Sequence, residues 1–274
     1  MLLREVEYAK PSSVAEALQI LASNDGARAL AGGQTLISVM KARAASPDAL
    51  VDLAALDELR GIELAADGTL SIGPLTTYTE LVDSAEAKAR PILAEVCAQI
   101  ADVQVRNRGT IGGNLCSNDP TNHLPPLMVS IGATMTIAGQ GGERVVSADE
   151  FFLGVYLTAV GPGELLTKIS LPAGKRDAFA AVTLGVDGTC IASAAASINS
   201  AAASLNGSLR IALGCVDATP VLVEPASADE GAVREAVRGA GLDPPADVHA
   251  SAEYRLHLSE VLAVRAARQA AERN

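Results

Sequence analysis

Two stretches of this 274-residue chain set adjacent glycines among small polar side chains. The first is Leu30-Ala31-Gly32-Gly33-Gln34-Thr35-Leu36, and the second is Thr110-Ile111-Gly112-Gly113-Asn114, inside the run from Gln104 to Pro120. Adjacent glycines let the backbone press close to a ligand, while the flanking hydroxyl and amide groups donate hydrogen bonds. Loops of this kind also offer several N–H groups to one anion, which suits a pyrophosphate. Either stretch alone reads more readily as a tight turn, and Thr35 or Thr110 as an ordinary cap. Two such loops with matching neighbours favour a shared ligand. A branched side chain at Gly32 or Gly113 would block the approach and disfavour a positive φ.

The elements that must position these loops follow from periodicity. A helix is expected from Ser13 to Asn24, with Ser13 and Glu16 as a capping box and Val14, Ala17, Leu18 and Leu21 on one face. A strand over Ala27 to Ala31 delivers the chain into the first loop, and a short helix over Thr35 to Arg43 points its free N–H groups back at it. Strands follow at Leu50 to Leu53, Gly61 to Leu64 and Leu70 to Ile72, the last two joined by an Asp67-Gly68 turn. Thr77 with Glu80 caps another helix, and Pro91 opens one that carries Ile92, Leu93, Val96 and Ile100. A helix from Pro125, a strand over Ala133 to Ala138, a capped turn at Ser147 and a strand over Leu165 to Leu171 come next. Beyond Pro172 the pattern becomes strand after strand, at Ala180 to Leu184, Ile191 to Asn199, Leu209 to Val216 and Pro220 to Val223. Ser200 to Gly207 reads as a hairpin connection, and helices over Asp229 to Gly239 and Ala252 to Glu272 close the chain.

Composition excludes more than it identifies. A net charge of −11 opposes a nucleic-acid partner, and aromatics at 3% with no Trp leave no base-stacking platform. No apolar run reaches the roughly eighteen residues of a membrane span, and the first residues lack a secretory pattern, so the cytoplasm is the expected compartment. Cys97, Cys116, Cys190 and Cys215 form no C-x-x-C pair and read as isolated buried thiols, not cluster ligands. His123, His249 and His257 show no metal-ligand spacing.

Together, Ala31 to Thr35, Thr110 to Asn114 and the intervening Leu50-Val-Asp-Leu53 resemble the two flavin-binding signatures of the medium, FAD-binding subunits of molybdenum hydroxylases, the group of carbon monoxide and xanthine dehydrogenases. Further landmarks are Asn118-Asp-Pro120, Gly154-Val-Tyr-Leu-Thr158, Pro162-Gly-Glu-Leu-Leu-Thr167 and Ala252-Glu-Tyr-Arg255. The resemblance implies an α+β fold: a two-part PCMH-type FAD-binding domain over residues 1–172, divided near residue 55, then a small antiparallel sheet with helices over 173–274. It assigns Ala31, Gly32, Gly33, Gln34, Thr35 and Leu36, with Thr110, Ile111, Gly112, Gly113 and Asn114, to the diphosphate and ribityl portion of FAD. Ser117 and Asp119 fall where the family lies near the cofactor, and Leu165 and Leu166 match apolar positions beside the isoalloxazine ring.

What the resemblance implies functionally is a FAD-containing electron-transfer subunit of a heterotrimer. Electrons would come from [2Fe-2S] clusters on a small iron–sulfur subunit and leave for an external acceptor, while a large subunit holds the molybdenum cofactor; the assembly would be a dimer of heterotrimers. Rival readings are a self-sufficient FAD oxidase and a cofactor-free scaffold subunit of the same fold. Two departures stand out. Relatives have Asp where this chain has His123, which places an imidazole at the flavin site, and the carbon monoxide branch has a Tyr near Ile191 that is missing here.

Overall fold

The computed structural model describes residues 3–174, 176–185, 188–199 and 208–273. Its first sheet is parallel: β1 (Glu7–Ala9), β2 (Ala27–Leu30) and β3 (Ala49–Asp52) lie in the order β1-β3-β2. Parallel strands need a crossover, and α1 (Val14–Ser23) carries the chain from β1 to β2, on either side of the β3 that follows later in the chain. Ser13 caps α1 by accepting from the Glu16 N–H at 3.2 Å, but the Glu16 carboxylate returns to the Ser12 N–H at 2.7 Å, so the expected box closes one residue early. Ala17 and Leu21 bury against Val51, Leu53 and Leu56. The glycine loop follows β2, and α2 (Leu36–Lys41) follows the loop.

The central part runs through β4 (Ile62–Leu64), β5 (Leu70–Ile72), α3 (Tyr78–Asp83), α4 (Ile92–Cys97), α5 (Val103–Arg106), α6 (Ile111–Ser117) and α7 (Leu124–Ile131). It continues through β6 (Thr134–Gly139), β7 (Gly142–Ser147), α8 (Ala148–Phe151), the short hairpin β8 (Phe152–Gly154) and β9 (Leu157–Thr158), and β10 (Leu165–Leu171). Five strands form one antiparallel sheet in the order β4-β5-β10-β6-β7. The expected capping box at α3 is complete, with Thr77 and Glu80 each holding the other's backbone N–H. The second glycine pair, expected as a loop, instead lies in the first turn of α6.

The last part is the antiparallel sheet β11 (Asp177–Thr183), β12 (Cys190–Asn199), β13 (Ser208–Gly214) and β14 (Val221–Val223), with α9 (Glu230–Gly239) and α10 (Ala252–Glu272). The expected connection at Ser200 to Gly207 lies outside the described residues. Alternation along β12 divides its two faces. Ala192, Ala194 and Ala196 share a core with Leu262, Ala263, Ala266 and Ala270 of α10, where small side chains on both elements let the helix lie close. Ala195 joins the central core on the other face. There Arg90 makes two 2.8 Å bonds to Asp177 and also donates to the Pro172 carbonyl, with both ion-pair side chains almost fully buried.

Candidate functional site

The two glycine stretches meet through backbone. A Cβ built on Gly32 would stand 1.9 Å from the Arg108 carbonyl oxygen and 3.0 Å from Gly109 Cα. One on Gly113 would approach Ala31 Cβ at 3.7 Å, so Ala31 lies over the second pair. Gly112 abuts Pro74, whose Cβ would be 2.4 Å from an added methyl. Helix α6 begins where Thr110 bridges to Thr77 and the Tyr78 N–H donates to the Gly109 carbonyl. Absence of side chains therefore lets the units touch. Of the four glycines only Gly33, with φ of 75°, needs the left-handed region.

The two stretches differ in what they offer an anion. In the second, the Ile111 N–H donates to Thr76, Gly112 to Pro74, Gly113 to the Thr110 hydroxyl at 3.1 Å, and Asn114 to the Thr110 carbonyl. The expected cradle of free N–H groups is therefore not formed by residues 111 to 114, because protein acceptors already occupy them. In the first, the N–H groups of Gly32, Gly33, Gln34, Thr35 and Leu36 meet no acceptor among the described residues. Thr35 does not cap α2 with its side chain, which leaves its hydroxyl available, and Gln34 and Thr35 are exposed. What the second stretch adds is side-chain chemistry. Thr110 accepts from Gly113 yet keeps its own proton to donate, and the Asn114 Oδ1 is buried with no partner among the described residues.

Ser117 and Asp119 organise the turn after α6. The Ser117 hydroxyl donates to the Asn114 carbonyl at 2.9 Å and accepts from Asn122 at 3.2 Å. Asp119 accepts from the Thr121 N–H and hydroxyl through one oxygen and from the Tyr156 hydroxyl, at 2.9 Å, through the other. Asn118, left-handed at φ 39°, donates to the Gly154 carbonyl at 2.7 Å and so joins this turn to the β8–β9 hairpin. Partial burial, with the Asp119 carboxylate second, pushes the Tyr156 phenol up to about 12. A raised phenol contributes stability below its unfolded pKa, near 10, that is lost as pH climbs toward 12. Tyr156→Phe should therefore cost about 1 kcal/mol or less at pH 7, and the gap from the wild type should close between pH 10 and 12. Chemical denaturation across that range measures it, and a gap independent of pH would remove the Asp119 bond from the account.

His123, Leu165 and Leu166 lie in different surroundings from the loops. Leu165 packs into the core of the first sheet and Leu166 into the central core, the two faces of β10. Strand alternation explains both, and their burial leaves little surface for a ring to meet. His123 stands at the start of α7, buried, its ring 5.1 Å from that of Phe179 on β11 and its Nδ1 unpartnered among the described residues. It faces the C-terminal sheet. Ile191 is buried on β12 and its carbonyl accepts from Arg255.

Residues 4–174 match the family model described as the FAD binding domain in molybdopterin dehydrogenase. The chain belongs to the FAD-binding medium subunits of the molybdenum hydroxylases. It is 36% identical to the carbon monoxide dehydrogenase medium chain of Afipia carboxidovorans, covering 97% of each. It is 31% identical to the glyceraldehyde dehydrogenase medium chain of Sulfolobus acidocaldarius, covering 97% of this chain and 99% of that one. A chain of the reconstituted CO dehydrogenase from Oligotropha carboxidovorans superposes with a TM-score of 0.91 at 35% identity, covering 98% and 99%. The α+β architecture expected for a FAD-binding medium subunit is thus the one observed, and this medium subunit is a component of an oxidoreductase.

The residues present fit FAD. Five free consecutive N–H groups suit its diphosphate, and the orphaned Asn114 Oδ1 is a buried acceptor of the kind a ribityl or ribose hydroxyl satisfies. No single sequence signal separates the loop whose N–H groups are free from the one whose groups are bound. That difference arises in part from Pro74 and Thr76, more than thirty residues upstream, which take the Gly112 and Ile111 N–H groups, and in part from Thr110, which takes those of Gly113 and Asn114.

Proposed function

We propose that this medium subunit carries electrons through FAD within a three-subunit molybdenum hydroxylase in the cytoplasm. A small subunit with [2Fe-2S] clusters would supply them, an external acceptor would take them, and substrate oxidation would occur at the molybdenum cofactor of a large subunit. The assembly would be a dimer of such heterotrimers. Family membership supports this reading, and the observation that carries it is the run of free N–H groups from Gly32 to Leu36. FAD supplies the redox chemistry when bound, exchanging electrons with partners of either one- or two-electron habit.

The chain's own residues would bind and orient. We assign Ala31, Gly32, Gly33, Gln34, Thr35 and Leu36 to the diphosphate by backbone, and Thr110 and Asn114 to neighbouring hydroxyls by side chain. Ile111, Gly112 and Gly113 would shape the wall, Ser117 and Asp119 would fix the turn beside it, and Leu165 and Leu166 would support it from beneath. His123 would act from the C-terminal side. Residues 1–172 would form the cofactor domain, split near residue 55, and 173–274 the second domain, a division that follows the three larger sheets. The substrates named for the relatives, carbon monoxide and glyceraldehyde, differ between chains of one architecture, which supports a substrate pocket outside this subunit.

The purified chain should be yellow, release its flavin in acid, and bleach with dithionite, yet reduce no dye at the expense of an organic substrate. A visible spectrum and a dye-reduction assay test this. A colourless full-length chain that stays colourless with added FAD would favour the scaffold reading. Substrate-dependent dye reduction by the chain alone would favour the oxidase.

A further inference from the structure

The β8–β9 hairpin holds apolar side chains out in water. Leu153, Val155, Tyr156 and Leu157 are exposed at 56%, 51%, 58% and 56%, all within five consecutive positions. Phe152 and Thr158 at its base are buried, and Ala159 and Val160 beyond it pack against the central core, so the element is anchored. At just over half exposure the four side chains present on the order of 400 Å², the size of the largest patch on a typical monomer, which is often a functional one.

The hairpin is also fixed in one conformation. The side chain of Asn118, itself buried, donates to the Gly154 carbonyl at 2.7 Å and the Leu157 carbonyl at 3.4 Å, and its own carbonyl accepts from the Tyr156 N–H at 3.2 Å. Tyr156 has φ of 56°, where a residue with a Cβ is strained, and the bond from its hydroxyl to Asp119 helps to hold it there. A tip ordered in advance loses little freedom when a partner covers it. Asn118 is at the same time the C-cap of α6, its N–H donating to the Asn114 and Leu115 carbonyls. The hairpin is therefore bonded to the far end of the helix whose first turn we assign to the FAD wall, a distance of about 10 Å for seven helical residues.

We propose that the β8–β9 hairpin is the docking element for the [2Fe-2S] subunit, with Leu153, Val155 and Leu157 buried against that subunit beside the cofactor. This rests on the electron-transfer reading given above. A second copy of the chain is a poor occupant, because it would bring together two bodies of net charge −11. An external acceptor comes and goes, and an apolar patch of this kind fits a permanent neighbour. Of the subunits in such an assembly, only the one that carries the clusters must stand next to the flavin throughout. A lasting interface buries about 800 Å² on each side, with an apolar centre and a polar rim. The hairpin supplies the centre. Asp119, which holds Tyr156, and Arg144, which donates to the Ala159 carbonyl, supply rim charges of both signs.

Hydrogen–deuterium exchange and subunit recovery, on holoenzyme isolated through a tag on this chain, test the assignment. Peptides covering residues 152–158 should exchange roughly tenfold more slowly in the holoenzyme than in the isolated chain. The combined variant Leu153→Ser, Val155→Ser and Leu157→Ser leaves the bonds to Asn118 and Asp119 in place, so the isolated variant should keep its flavin and its melting temperature. The same variant should recover roughly tenfold less iron–sulfur subunit, counted by cluster absorbance and peptide mass spectrometry. A hairpin that exchanges equally fast in both states, or a triple variant that keeps the iron–sulfur subunit in full, would overturn the docking and leave FAD binding untouched. So would loss of the large subunit alone, or a concentration-dependent dimer of the isolated chain that the triple variant abolishes. A wild-type chain that stays colourless, or that holds flavin yet recovers no iron–sulfur subunit, would remove the electron-transfer reading and the docking with it.

Discussion

Replacing Gly32 with alanine should remove flavin and lower the melting temperature in the same variant. The added methyl would stand 1.9 Å from the Arg108 carbonyl oxygen and 2.8 Å from its carbon. Neither atom belongs to a flexible side chain that could swing away, so the two glycine stretches must separate. Overpacking of this kind costs about 1–3 kcal/mol, which for a chain of this size lowers Tm by roughly 2–10 °C. The same displacement moves the free N–H groups of residues 32 to 36 relative to Thr110 and Asn114, so the sites for one ligand no longer converge. At Gly113 the nearest atom is the Thr110 hydroxyl, 2.9 Å from an added Cβ, which can rotate at the expense of the α6 cap. Gly113→Ala should thus lose less stability than Gly32→Ala. Flavin-to-protein ratios and thermal unfolding of both variants measure the difference. Full flavin content with an unchanged melting temperature in Gly32→Ala would mean that this contact does not hold the cradle together.

Asp177→Asn should be the most destabilising single polar change. Arg90 and Asp177 are paired through two 2.8 Å bonds, with side-chain exposures of 4% and 1%. Removing one charge strands the other in a site that water does not reach, and breaking such a pair costs about 3–5 kcal/mol. The Arg90 guanidinium also donates to Pro172 and, at 3.4 Å, to Ser197, so its loss of register loosens the segment between β10 and β11. Replacing both partners with apolar residues, as in Arg90→Met with Asp177→Leu, should recover much of the loss because no charge remains buried. Denaturant unfolding of the two single variants and the double variant completes the cycle. Single variants that cost under 1 kcal/mol would reduce the pair to a surface-like contact.

The legibility of this chain in its sequence depended on whether a signal was local. Thr77 and Glu80 lie three residues apart and form the box that their spacing implies, and β10 and α10 span the residues expected of them. β1 leaves no sequence signal because its three residues pair with a partner forty positions away, and β7 leaves little because it is largely exposed, with Glu143 and Arg144 among its residues. Gly112 and Gly113 are poor helix formers, near 1 kcal/mol worse than alanine apiece, and read as a turn. The Thr110 cap holds them in the first helical turn, and glycine is needed at 112 because Pro74 leaves no room for a side chain there. For the site, residue types identify the ligand class, but that the Ile111 and Gly112 N–H groups are taken depends on acceptors in a distant segment.

The contact between the glycine stretches also bears on how such subunits exchange modules. On one side it consists of a missing side chain, at Gly32, and on the other of main-chain atoms of Arg108 and Gly109. Neither surface encodes a matched pair of side chains, so no partner-specific complementarity is written into it. A chimaera that took its first ninety residues from one family member and the rest from another would inherit a compatible joint there from any two parents with the glycine in place. The buried Arg90–Asp177 pair behaves oppositely, since both halves must come from the same parent or from two that share it. At the Gly32 contact recombination therefore depends on the glycine alone, while the seam with the C-terminal sheet requires a matched pair.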